Sequence, residues 1–185
     1  STTDTSDQFI ITNTDTSASS GPDLVLHRKS TSSAADNDVL GRIDFRGLND
    51  ANEEINYFTI SARIDDNTDG TENGMLRLQH IKDGSYVEPV VIDGSGHILV
   101  GQNSTTTPVS ENTVGTALRT EGRLEITCDD NTPLRLNRKS DDGTIIQIRQ
   151  NANIEGTISV SGSTVSYGGF VGLHESSGIA TSTPV

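Results

Sequence analysis

The sequence predicts an all-β chain of elongated shape, and three observations support this fold class. Apolar and polar residues alternate with a period of two along most of the chain, which is the pattern of half-buried strands. Clusters of Asn, Asp and Gly separate these runs and supply the backbone angles that hairpin turns need. No helical spacing of apolar residues is long enough to predict a helix.

The composition is poor in core-forming residues. Of the 185 residues, 31% are hydrophobic and 18 are glycine, and the formal net charge is −13. Globular domains reach about 45–50% when glycine is included, so either part of the chain is linker or other copies complete its buried surface. Because nucleic acids are polyanions and no run approaches the ~20 apolar residues of a membrane span, we expect no nucleic-acid partner and no membrane insertion.

The predicted strands follow one another closely along the chain. The longest alternating run is expected to turn four side chains inward (Phe58, Ile60, Ala62, Ile64) and four outward (Tyr57, Thr59, Ser61, Arg63). Shorter alternating runs precede and follow it at residues 23–28, 41–46, 76–78, 90–92 and 98–100, and an apolar segment at 9–12 leads into the first of them. Turn clusters lie between the later runs at residues 67–70, 72–74, 82–84 and 93–96. These turns predict consecutive hairpins.

Shifts in composition divide the chain into five segments. We expect an N-terminal strand and polar linker at 1–20, a β-sandwich-like module at 21–102 and a second polar linker at 103–116. A short β repeat or shaft module follows at 117–170, and a Ser-, Thr- and Gly-rich C-terminal tail occupies 171–185.

The two modules share a degenerate internal repeat. Leu24–Ser30 and Leu134–Ser140 both read L-x-L-x-R-K-S, and each is followed by an I-x-Φ-R strand in which Φ is apolar. The first copy then inserts a long hairpin at 54–81. Short β units that cannot bury a face alone favour stacking along an axis. We expect the Arg-Lys pairs of the two copies to neutralise neighbouring Asp side chains rather than to bind an anion.

Three segments together resemble bacteriophage tail-fibre and related virion appendage proteins. They are the repeat run from Leu24 to Gly47, the hairpin from Ile60 to Gly74 with its Asp-Gly-Thr-Glu-Asn-Gly turn, and the stretch from Gly143 to Tyr167. The resemblance implies an elongated homotrimeric fibre with a β-sandwich-like module and a slimmer intertwined β shaft segment. It also implies a virion or extracellular location and contacts with other tail or fibre proteins. Three chains around an axis would cover each other's strand edges.

A tail-fibre role predicts contact with a glycan or protein receptor on the host surface. The inserted hairpin occurs in one repeat copy only, so we expect its loops to make that contact. The candidate residues lie in or beside two turns: Asp66, Asn67, Asp69, Glu72, Asn73, Lys82, Asp83 and Tyr86.

Sites for chemistry are weakly indicated, and we expect no enzyme activity, cofactor or metal. Asp65, Asn67, Asp69 and Gly70 match the start of a calcium loop, but Leu76 stands where the bidentate Glu should be. Adjacent carboxylates occur in turns, where Asp bonds its own backbone. The four histidines are scattered, and the single cysteine excludes an intrachain disulfide.

Two other classes of protein remain open. A secreted bacterial adhesin or surface-layer module would share the acidic, Thr-rich β composition, but it should be monomeric or calcium-dependent. A capsule-degrading spike would need two suitably spaced carboxylates and a sugar-stacking groove, for which four Phe, three Tyr and no Trp are a small supply.

Overall fold

The computed structural model describes residues 9–19, 21–29, 34–102 and 108–169. The chain divides into two compact units after Pro133. The predicted tail at 171–185, residues 1–8 of the predicted N-terminal segment and residues 103–107 of the predicted linker lie outside the described residues.

The described chain is all-β apart from one helical turn, which confirms the predicted class. The first unit holds seven strands and the helical turn α1 (Pro108–Glu111). The strands are β1 (Val39–Leu48), β2 (Glu54–Asp66), β3 (Asn73–Lys82), β4 (Ser85–Ile92), β5 (Ile98–Val100), β6 (Gly115–Leu118) and β7 (Leu124–Thr127). They form one antiparallel sheet in the order β1-β2-β3-β4-β5-β6-β7.

The second unit holds a three-stranded antiparallel sheet. Its strands are β8 (Gly143–Gln150), β9 (Asn153–Ser161) and β10 (Thr164–Gly168), with β9 in the centre. Both sheets are therefore simple meanders in which each strand pairs with the next along the chain. Short turns account for most of this connectivity, since antiparallel strands can be joined by two residues, whereas residues 101–114, which include α1, connect β5 to β6.

The predicted turns at 67–70, 82–84 and 93–96 are confirmed, whereas Asn73 and Gly74 of the predicted 72–74 turn are paired residues of β3. Asp83 and Gly84 join β3 to β4 with φ values of 50° and 77°, as a two-residue turn with left-handed central residues requires. The cluster at 67–72 joins β2 to β3, and the cluster at 93–97 joins β4 to β5. Asp93 stabilises the latter turn, because its Oδ1 accepts hydrogen bonds from the backbone N–H groups of Ser95 and His97 at 3.0 and 2.9 Å.

The register gives the seven-stranded sheet two different faces. Directly opposed residues of antiparallel strands lie on the same side, so the pairing defines rows that cross the sheet. On one side, which we call the apolar face, two rows run through all seven strands: Ile43-Ile60-Leu78-Val90-Val100-Thr116-Ile126 and Gly41-Ala62-Leu76-Ile92-Ile98-Leu118-Leu124. On the other side, which we call the polar face, the row is Arg42-Ser61-Arg77-Val91-Leu99-Ala117-Glu125.

The buried core lies on the polar face. Val91, Leu99 and Ala117 form one cluster that is almost completely shielded from solvent. The turn α1 packs against β6 and β7, and its first residue, Pro108, is fully buried. The core of this unit is therefore small and local.

The predicted orientation of the longest strand is wrong for the single chain. Thr59 and Ser61, expected to point outward, are only 4% and 2% exposed, whereas Phe58 and Ile60, expected inward, are half-buried. Ser61 lies between Arg42 and Arg77, whose long side chains can cover it. The prediction correctly grouped the residues by face. The more buried face, however, is the one with Thr59 and Ser61 and not the one with Phe58 and Ile60.

Two further expectations differ from the structure. Residues 9–12 and 24–26 form no strand, and their apolar side chains are exposed. The strands within the predicted β-sandwich-like module, β1–β5, all belong to one sheet. Alternation shows that a segment has an apolar and a polar face. It does not show whether another strand pairs with the segment or whether a second sheet packs on its apolar face.

Candidate functional site

The described residues leave most of the apolar face of the seven-stranded sheet uncovered, although Leu26 lies against its Gly41 end. Phe45 and Ile43 on β1 are 52% and 44% exposed, and a row of apolar residues continues to β7 at the opposite edge. Further exposed side chains on this face are Leu76, Ile98, Val100, Leu118 and Leu124. At about 4.8 Å between strands, the face is roughly 30 Å wide. Continuous apolar patches of this kind mark contact surfaces.

The second unit has an apolar side as well. Ile146, Ile158 and Tyr167 are opposed across its three strands, and Val160 is opposed to Val165. Tyr167, Val165 and Ile148 are exposed. The opposite side of β9 carries Thr157, Ser159 and Ser161. Each unit thus presents one apolar side that its own described residues leave exposed.

A charged network occupies the polar face of β2, β3 and β4. The Arg77 Nη1 and Glu88 Oε2 atoms are 2.5 Å apart, and the Gln79 Nε2 donates to Glu88 Oε1 at 2.6 Å. The Arg63 Nη2 lies 3.8 Å from the same carboxylate. Arg77 and Glu88 are mostly buried, so the network is a fixed arrangement in which two guanidinium groups converge on one carboxylate.

An open groove of about 750 Å³ lies beside this network. Its lining includes Arg77, Gln79, Lys82, Tyr86, Glu88 and Gln102. Tyr86 is opposed to Ile81 on β3, and its ring is 60% exposed. Gln102 is only 7% exposed, and neither its Oε1 nor its Nε2 has a hydrogen-bond partner among the described residues. The groove therefore combines an exposed aromatic ring, fixed charges and an unpaired amide, and its volume falls within the range of ligand pockets.

The structure separates the predicted host-contact residues into two groups. Asp66, Asn67, Asp69, Glu72 and Asn73 lie at or between the end of β2 and the start of β3. Lys82, Asp83 and Tyr86 lie at the other end of β3. Since β3 is 10 residues long, the groups are about 30 Å apart. One ligand of ordinary size cannot contact both.

The first group includes residues with structural tasks. The Asp66 Oδ1 accepts a hydrogen bond from the Thr68 N–H at 2.9 Å, and hydrogen bonds from the Thr68 side chain and then its backbone lower the pKa of Asp66. Asn67 reaches the segment before β1: its Nδ2 donates to the Ala34 carbonyl at 2.5 Å, and its N–H donates to Asp36 at 3.1 Å. These two residues stabilise the turn, whereas Asp69, Glu72 and Asn73 are exposed.

The second group coincides with the groove. Lys82 and Tyr86 line it, and Asp83 forms the adjoining turn. The sequence-based prediction missed four groove residues: Arg77, Gln79, Glu88 and Gln102. In the alternating pattern, the polar residues next to Leu76 and Leu78 read as ordinary solvent-facing positions of a strand. A usable signal was present in β3, where Arg77 and Gln79 fall on one face of a strand whose other face carries Leu76 and Leu78.

Metal binding and membrane spanning gain no support from the structure. Among the described residues, no group of three or more His, Cys, Asp or Glu side chains is placed to hold a metal ion. Asp65, from the partial calcium loop, accepts a hydrogen bond from the Gly94 N–H at 3.2 Å. Within the described ranges, no helix has the length and apolar character needed to cross a membrane.

No protein-family model and no curated protein sequence matches this chain. Its function is therefore inferred from the geometry of the two faces of the sheet and of the groove.

Proposed function

We propose that this chain is a structural component of a phage tail fibre or related virion appendage, in which three copies assemble into a spacer that also takes part in host-surface attachment. The observation that carries the proposal is the uncovered apolar face of β1–β7. The resemblance of the repeat segments to tail-fibre proteins supports the same function. Its place of action would be the virion, outside the host cell.

The apolar face favours assembly with other copies for an energetic reason. Burying one side chain such as Phe45 or Ile60 stabilises by about 1.5–3 kcal/mol, and this face carries such residues in two rows. The chain has a net charge of −13, so charge repulsion between copies must be overcome by close apolar contact. A threefold arrangement lets each copy cover a neighbour while the acidic residues stay outside.

Light scattering after size exclusion tests the assembly. We expect a mass of three times 19.7 kDa with an elongated profile. Val100→Asp would place a charge on the apolar face and should give monomers. Val39→Asp is the matched control, because Val39 is similarly exposed but is opposed to Arg63 on the polar face; it should leave the mass unchanged.

Three results would contradict this proposal. A folded monomer of the native chain would show that the apolar face needs no partner, and calcium-dependent stability of that monomer would favour a secreted adhesin module. A trimer that survives Val100→Asp would show that the copies meet elsewhere. Release of reducing sugar from capsule polysaccharide would favour a degrading spike.

A further inference from the structure

Most of the groove lining lies on the polar face, but His80, Lys82 and Val87 line the groove from the side of Leu78. Arg77 and Val91 are opposed on the polar face, whereas their chain neighbours Leu78 and Val90 are opposed on the apolar face. Assembly through the two apolar rows therefore leaves the polar-face part of the groove, with Arg77, Tyr86 and Glu88, open to solvent.

We propose that this groove binds an acidic oligosaccharide, meaning a chain of sugars that carries carboxylate groups. This inference deepens the attachment role in the proposed function by naming the ligand class and its site. It rests on four features of the groove: an exposed aromatic ring, a fixed charged network, a local positive balance and an unpaired amide.

The aromatic ring is placed to contact a sugar ring. Tyr86 is exposed at the mouth of the groove beside Lys82. An aromatic face packs against the apolar C–H face of a pyranose, while the phenol hydroxyl stays available to sugar hydroxyls. Only four Phe and three Tyr occur in the whole chain, so an exposed ring beside a polar groove is a notable placement.

The charge in the groove selects an acidic ligand. Its charged lining residues are Arg77, Lys82 and Glu88, which give one net positive charge in a chain with a net charge of −13. Arg63 lies behind the same carboxylate. The groove is thus a local positive site in an acidic protein, and a carboxylate on the ligand would be attracted to Lys82 and to the outer edge of the Arg77 guanidinium.

Gln102 supplies the polar selectivity. Its buried amide has no hydrogen-bond partner in the part of the chain that the structure describes, and a buried amide without a partner destabilises the protein. Gly115 packs against its side chain, since a Cβ there would lie 3.1 Å from the Gln102 Cγ. Both amide atoms are shielded from solvent in this conformation, so a sugar hydroxyl, which both donates and accepts, reaches them only when the Gln102 side chain turns toward the groove.

Calorimetry on the full chain in its native assembly tests the inference. The acidic probes are oligogalacturonate, hyaluronan oligosaccharide and oligosialic acid, and the neutral controls are malto- and chito-oligosaccharides of similar length. We expect at least one acidic probe to bind, the neutral controls to bind more weakly, and added salt to weaken binding. Failure of all three acidic probes, or equal binding of the neutral ones, would overturn the inference.

Matched substitutions locate the binding site. Tyr86→Ala should weaken binding by about fivefold, because it removes the aromatic contact. Tyr57→Ala is the control, since Tyr57 is also exposed but lies outside the groove lining. Lys82→Glu should abolish preference for acidic over neutral probes, whereas Lys139→Glu in the second unit should not. Equal effects of variant and control would place binding elsewhere and overturn the inference.

The assembly state separates this inference from the proposed function. Light scattering is run on the same samples. Binding by a monomer would support the groove and contradict the trimer. A trimer that binds none of the acidic probes would contradict the groove and leave the assembly in place.

Discussion

The two repeat copies fold into hairpins that share unusual details. The I-x-Φ-R strand is β1 in the first copy and β8 in the second, and both strands have a register shift directly before the Arg, between Phe45 and Arg46 and between Ile148 and Arg149. Each Arg then contacts the side chain two positions earlier. The Arg46 Nη2 lies 3.2 Å from Asp44 Oδ2, and the Arg149 Nη2 donates to Gln147 Oε1 at 3.0 Å.

The segments before these hairpins also correspond, although neither is a strand. The Arg28 Nη1 lies 3.1 Å from Asp38 Oδ1 and donates to the Val39 carbonyl, and Arg138 contacts the Asp141 side chain and carbonyl at 2.9 Å. The predicted neutralisation of Asp side chains is therefore confirmed for the Arg of each Arg-Lys pair. The repeat encodes a bulged hairpin preceded by a segment that is not a strand and that its arginine holds in place; we call this segment the arm (residues 24–29 in the first copy and 134–140 in the second).

The copies differ in the strands that come after the hairpin. The first continues into β3–β7, and within the described residues a fully buried cluster forms only there, with Val91, Leu99 and Ala117. The second gains one short strand, and of its described residues only Gly156 is buried. Since three strands with one uncovered face are close to the minimum for independent stability, the second unit should be the less stable of the two by itself.

The largest expected difference between the units concerns core truncation. Leu99→Ala should reduce the free energy of unfolding of the first unit by about 2–5 kcal/mol, because a fully buried side chain leaves a cavity. Ile158→Ala, at the centre of the second sheet but only half-buried, should cost less than about 2 kcal/mol. Urea unfolding at one protein concentration measures both, and equal losses would contradict the contrast.

A smaller difference between the units is expected in the loss of stability when Gly41 or Gly143, which contact the two arms, is replaced by alanine. A Cβ on Gly143 would lie 2.9 Å from the Arg138 Cζ, and Gly143 has a φ of 150°; Gly143→Ala should therefore destabilise the second hairpin by about 1–3 kcal/mol. A Cβ on Gly41 would lie 2.8 Å from the Leu26 Cβ, but Gly41 has no positive φ, so Gly41→Ala carries no backbone strain and should cost less, below about 1 kcal/mol. Hydrogen exchange of the β1–β2 and β8–β9 amides compares them. A larger effect at Gly41 would mean that its arm is fixed.

The smallest difference is expected in acid. A hydrogen bond from Thr59, followed by those from Arg46 and Asn56 and the charge of Arg42, lowers the pKa of Asp44 below 3.8. Its stabilising effect is therefore present above the unfolded pKa and is lost as the pH falls through the lowered folded pKa. The corresponding residue in the second copy is Gln147, which does not titrate.

Hydrogen exchange measured from about pH 6 down to about pH 2.5 follows this loss, with Asp44→Asn as the control. The β1–β2 amides should lose protection in acid more than the β8–β9 amides. Asp44→Asn should reduce that extra loss. If Asp44→Asn leaves the loss of protection in acid unchanged, that loss comes from another carboxylate and the prediction is wrong.

The sequence predicted much of the local structure and little of the groove. Asn and Asp next to Gly identified the turns, and period-two alternation correctly grouped Phe58, Ile60, Ala62 and Ile64 on one face. The same alternation wrongly predicted a strand at residues 24–26, because an arm held by one arginine has the same apolar pattern. It also missed Arg77, Glu88 and Gln102, whose proximity depends on strand register and on a chain reversal after β5.

By itself, the sequence determined the all-β class, the order of the hairpins and which residues share a face, because these depend on local backbone preferences and on the pleat of a strand. Only the tertiary structure decided which face is covered, that the two candidate loops lie at opposite ends of β3, and that a groove forms beside the charged network of Arg77 and Glu88. Those features depend on which distant residues meet, and alternation carries no information about the layer beyond the strand.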